Sequence, residues 1–128
     1  MAESEKLTMN VNVVDLGQID MLVEQGFYSN RTDFIRTAIR NELRQHQGEI
    51  KEIAARKMMA FGVLDFDAKQ LQEVLAEGRT LDIRVVGMLS LGPDVTPELA
   101  RRAIRSVHVT GVFRASDAVK SALNGDNH

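Results

Sequence analysis

Three short polar side chains, Thr8, Asn10 and Asn12, occupy alternate positions near the start of the chain, with Lys6 one step earlier in the same row. Hydroxyl and carboxamide tips donate and accept hydrogen bonds without breaking covalent bonds, so the row suits recognition of a patterned partner. A second constellation, Ser29-Asn30-Arg31-Thr32-Asp33, has the composition of a helix start, where free backbone N–H groups and the helix dipole together attract an anion. Arg36, Arg40 and Arg44 follow at i, i+4 spacing. A helical arginine stripe is ordinarily a solvated face, and Asp33 and Glu42 neutralise part of this one, so it is not assigned to the anion site. No nucleophile stands beside a base in a recognisable pattern, and an enzyme is not expected. With no cysteine, and with His46, His108 and His128 far apart, neither a metal nor another cofactor is expected. His108, between Val107 and Val109, reads as the solvent side of a strand, and Gly92-Pro93-Asp94 reads as a turn without the repeated glycines and lysine of a phosphate-binding loop.

The elements that must position these groups are legible as periodicities. From Lys6 to Val13 polar residues alternate with Leu7, Met9, Val11 and Val13, the period of a strand with one buried face. The plainer reading of its polar side is a solvated face, but Asn is disfavoured in strands, so Asn10 and Asn12 suggest a contact that outweighs local preference. A single such strand is not stable alone, and pairing two copies would satisfy both of its faces. Asp15 suits a helix N-cap, and Leu16, Ile19, Leu22 and Val23 form an apolar stripe ending near Gly26. A second helix is predicted from a cap at Asn30, or at Ser29, with Asp33 completing a capping-box-like start and Ile35, Ala38, Ile39 and Leu43 on one face.

This order of parts resembles the ribbon-helix-helix family of DNA-binding proteins, the class of the Arc, methionine and CopG-like repressors. The resemblance covers roughly Lys6 to His46, and its most specific string is Gly26-Phe27-Tyr28-Ser29-Asn30-Arg31-Thr32-Asp33-Phe34-Ile35-Arg36-Thr37-Ala38-Ile39-Arg40. It implies an intertwined homodimer whose paired strands enter the major groove of double-stranded DNA. Thr8, Asn10 and Asn12 would then contact bases, since Asn can bond adenine at two points and Thr can touch a thymine methyl. Lys6, Ser29, Asn30 and Arg31 would contact phosphates.

The second half carries a repeat. Phe61-Gly62-Val63-Leu64, Val86-Gly87-Met88-Leu89 and Thr110-Gly111-Val112-Phe113 share a pattern, their glycines 25 and 24 residues apart. Each precedes a cap and a helical pattern: Asp67 before Leu71, Val74 and Leu75; Thr96-Pro97 before Leu99, Ala103 and Ile104; Ser116 before Val119 and Leu123. Three strand-helix units are therefore expected, either a solenoid or a compact cap of three parallel strands. Both leave strand edges through which this half could assemble beyond a dimer.

The fold class expected is α+β: a ribbon-helix-helix (β-α-α) dimerisation and DNA-binding domain over 1–48, a helical connector over 49–57, and a small α/β assembly or effector domain over 58–128. The connector has no proline, and Gly48 is the expected break. Across 128 residues, 44% hydrophobic and 27% charged composition describes a protein that buries a core. A net charge of -2 gives no global attraction for nucleic acid, and five Phe with one Tyr make a stacking platform for single strands improbable. The region to Gly48 itself carries Lys6, Arg31, Arg36, Arg40 and Arg44 against seven carboxylates. No apolar run approaches the roughly 20 residues of a membrane span, no export signal is visible, and a cytoplasmic protein without membrane partners is expected. The reading is a homodimeric transcriptional regulator, a repressor by resemblance. An antitoxin of a toxin-antitoxin pair and a self-assembling scaffold are its rivals.

Overall fold

The computed structural model describes residues 4–124, which form two compact units, 4–53 and 54–124. Met1–Glu3 and the tail after Asn124, including His128, lie outside the described residues.

In the first unit, α1 (Val13–Glu24) and α2 (Arg31–Gln45) follow a segment, 4–12, that carries neither helix nor strand. The strand expected over Lys6–Val13 is thus not formed by the single chain, which offers it no neighbouring strand to bond. Val13 already belongs to α1. The cap of α1 is Asn12 rather than Asp15: the Asn12 side chain accepts a hydrogen bond from the Val14 N–H at 2.8 Å, and Asp15 falls in the first turn, where its charge suits the helix dipole. The helix ends in a Schellman turn, with Phe27 N–H donating to the Leu22 carbonyl at 2.9 Å, Gly26 N–H to Val23 at 3.1 Å, and Gly26 at φ +85°. Tyr28 and Phe34 then meet edge to face at 5.0 Å, fixing the path into α2.

Beyond α2 the chain breaks at His46 and resumes as α3 (Gln47–Arg56), so Gly48 lies within a first turn instead of forming the break. The His46 imidazole lies between Glu49, 3.2 Å from Nδ1, and Glu42, 3.5 Å from Nε2. Two carboxylates converge on the C-terminal cap of α2, where a cation also complements the helix dipole.

The second unit repeats one plan: β1 (Ala60–Phe66), α4 (Ala68–Ala76), β2 (Leu81–Leu91), α5 (Pro97–Ala103), β3 (Ile104–Arg114) and α6 (Asp117–Asn124). The strands form a parallel sheet in the order β1-β2-β3. Asp67 caps α4 in a full capping box with Gln70, and Thr96 caps α5 ahead of Pro97. The Ser116 hydroxyl accepts from the Val119 N–H at 3.2 Å at the start of α6. Asp94, in the turn after β2, accepts from the Ala68 N–H at 3.2 Å and so ties that turn to the start of α4.

The core joins alternate residues of β2, Ile83, Val85, Leu89 and Leu91, to Ile104 and Val107 of β3 and to Leu71, Ala100, Val119 and Leu123 of the helices. Each fully buried leucine among them contributes about 1.5–3 kcal/mol. The glycines stand in register, Gly62 beside Gly87 and Gly87 beside Gly111. All three have positive φ, +148°, +140° and +128°, and a Cβ on Gly87 or Gly111 would lie 2.1 or 2.2 Å from the preceding glycine's carbonyl oxygen. No side chain fits there, so glycine is required at both positions. His108 is exposed on β3.

Candidate nucleic-acid interface

Lys6, Thr8 and Asn10 are exposed, as is Asn12, whose side-chain oxygen already serves the α1 cap. The intervening apolar residues are not absorbed by the chain's own core: Leu7 is 79% and Met9 60% exposed. They line one wall of an apolar groove of about 580 Å³ whose other walls include Ile19, Leu22, Ile35 and Ile39. The amphipathic character read from residues 6–11 therefore survives in three dimensions, with the polar row exposed and the apolar row over an open groove. Val13, expected in the same apolar row, is 81% exposed and contributes nothing to that groove.

The start of α2 is built as a reciprocal cap. The Asn30 side chain accepts from the Asp33 N–H at 2.8 Å, and the Asp33 carboxylate accepts from the Ser29 N–H at 2.9 Å. The amides of Arg31 and Thr32, in the first helical turn, have no acceptor within the helix. A shallow polar depression of about 360 Å³ opens here, lined by Ser29, Asn30, Thr32, Asp33, Arg36 and Arg40.

Two placements differ from the sequence reading. Arg31 does not line the depression; its Nε and Nη2 donate to the two carboxylate oxygens of Asp20 on α1, both at 2.9 Å. That bidentate pair holds the Asp20 carboxyl below its ordinary range, chiefly through the hydrogen bond from Arg31, and pushes the Arg31 guanidinium up. Arg36 and Arg40, set aside as a solvated stripe, line the depression beside Ser29 and Asn30. The spacing Thr32, Arg36, Arg40 carried the signal, since i, i+4 steps keep residues on the face that starts at the helix N-terminus.

Among the described residues no group of acidic and histidine side chains could hold a metal ion, and no helix is long and apolar enough to cross a membrane.

An amphipathic N-terminal segment, two helices around an apolar groove and a capped, arginine-flanked second helix follow one another in the order of a ribbon-helix-helix chain. The chain belongs to the ribbon-helix-helix transcriptional regulator family, whose model matches residues 2–120. The match takes in both units, so the family likeness extends well beyond the N-terminal third that the motif alone marks out. The chain is also similar to an uncharacterized protein of Methanocaldococcus jannaschii, 28% identical over 80 residues that cover 57% of this chain and 82% of the relative. No solved structure matches the chain.

Proposed function

We propose that this chain is a sequence-specific, homodimeric repressor of the cytoplasm that acts by binding double-stranded DNA and catalyses nothing. In this reading residues 6–11 of two copies pair antiparallel, burying Leu7, Met9 and Val11 over the grooves and presenting Thr8 and Asn10 to base edges in the major groove. The observation that carries it is the exposure of Leu7 and Met9 beside an open apolar groove while Thr8 and Asn10 remain solvent-facing. Such a surface is what a second copy would cover. Asn12 is a base contact only if its carboxamide N–H₂ reaches DNA while the oxygen keeps the cap. The depression at the start of α2 would take a phosphate from Ser29, Asn30 and the first-turn amides, with Arg36 and Arg40 adding charge and Lys6 meeting the backbone at the ribbon's end. A folded second unit favours the regulator over an antitoxin, whose toxin-binding tail would be expected to be flexible.

The test is selection of bound fragments from random duplex DNA with the purified full chain. Two related half-sites should be enriched, and Asn10→Ala should weaken binding to the selected site by about 1–3 kcal/mol per contacted base pair while the dimer persists. A pool with no enriched motif, or an Asn10→Ala protein that falls to monomers, would refute the reading.

A further inference from the structure

The sheet of the second unit repeats one contact twice and stops with both halves of that contact exposed. At each internal junction the carbonyl of one glycine enters the space where its neighbour's Cβ would be: Gly62 into Gly87, and Gly87 into Gly111. Gly62 adopts the same unusual backbone, φ +148°, yet among the described residues nothing lies within 4 Å of its Cβ position. It is shaped for a carbonyl from a strand preceding β1. Gly111 is its complement, since its carbonyl continues the column on the free side of β3.

We propose that the occupant is a second copy of this chain, its β3 adding in parallel to β1 with Gly111 set against Gly62. The register follows from the shared partner strand. Gly62 and Gly111 both pair with Gly87, Val63 and Val112 with Met88, Leu64 and Phe113 with Leu89, and Asp65 and Arg114 with Ser90. Between copies, Val63 thus falls opposite Val112, Leu64 opposite Phe113, and Asp65 opposite Arg114. Apolar faces apolar, and the one acidic residue of β1 faces a cation. β1 lacks the lysines and prolines that blunt exposed edges, and its Phe61 and Val63 are 57% and 51% exposed. Because β3 meets β1 and never its own kind, each addition leaves a fresh β1 and a fresh β3 at the ends, and growth is open unless the stack closes into a ring. The inference uses only the second unit and stands whether or not the first binds DNA.

Sedimentation of the full chain without DNA tests it. The average mass should rise with concentration past that of a dimer. Asp65→Arg and Arg114→Asp should each raise the dissociation constant for growth about tenfold by setting like charges face to face, and the double variant, which restores the pair with reversed sign, should grow again. Both residues are exposed, and circular dichroism checks that each variant stays folded. If either reversal unfolds the chain, Val63→Lys places a cation on the same edge and should also halt growth. A mass that never exceeds that of a dimer, a double variant no better than the singles, or an Arg114→Asp protein that grows like the unaltered chain would overturn the proposal; the last would indicate β1 pairing with β1.

Discussion

Arg31 and Asp20 form a two-point ion pair at the edge of the proposed phosphate site, and the pair bears on how that site works. Both side chains are substantially exposed, so the bond is one that a phosphate can compete for. If Arg31 exchanges Asp20 for a phosphate on binding, Asp20→Asn should tighten binding to duplexes of any sequence several-fold, by removing both a competitor and a nearby negative charge. Equal affinity for the two proteins, measured by fluorescence anisotropy, would strike Arg31 from the phosphate contacts. The Asp20 carboxyl is held below its ordinary value of 3.8, so the pair stabilises the fold above that pH and is lost as pH falls through the lowered value. Carboxyl NMR should find Asp20 titrating low, and moving back toward its ordinary value in Arg31→Ala. No local pattern could have exposed this partnership, because it joins two helices across a turn. The caps, by contrast, were legible in the residue string: Asn30 with Asp33, Asp67 and Thr96-Pro97 each combine a short acceptor with helix-compatible followers.

At the scale of elements, the break between α2 and α3 falls at His46, the C-terminal cap of α2, where two carboxylates and the helix C-terminus favour its cationic form, while Gly48 is accommodated in the next helix. Glu49 first, and Glu42 after it, raise the imidazole above its ordinary 6.5. The imidazolium therefore stabilises this junction fully below the ordinary value, and the contribution disappears as pH rises through the raised one. An NMR titration should show His46 titrating above the ordinary value and Glu49→Gln bringing it down. Alternation separated two faces over residues 6–11 but not as far as Val13, and a strand is a property of two chains' backbones whose partner one sequence cannot supply. The repeat was legible because its glycine spacing reflects a steric demand. Gly87→Ala and Gly111→Ala should each lower stability by more than the roughly 1–3 kcal/mol of backbone strain alone, since carbonyls must move as well, whereas Gly62→Ala bears the strain only. Denaturant melts that rank Gly62→Ala as severe as the other two would contradict that account.

The whole molecule is acidic, and even the N-terminal region to Gly48 carries fewer basic than acidic residues. DNA affinity must then arise from a few local contacts and not from a general field. The slope of log K against log salt should fall by about 0.9 for each phosphate contact removed, so Lys6→Ala, present twice per dimer, should flatten it by nearly two. A slope unmoved by that substitution would take Lys6 off the list of backbone contacts. The family match, over residues 2–120, takes in the strands of the parallel sheet as well as the N-terminal motif.

The ladder of glycines also makes length a free variable. Every rung meets the next through the same backbone fit, so splicing in another strand and helix of this kind would widen the sheet without redesigning its neighbours. Descendants of such a chain could differ in sheet width by whole modules while keeping the same N-terminal unit, and counting those rungs would count the modules.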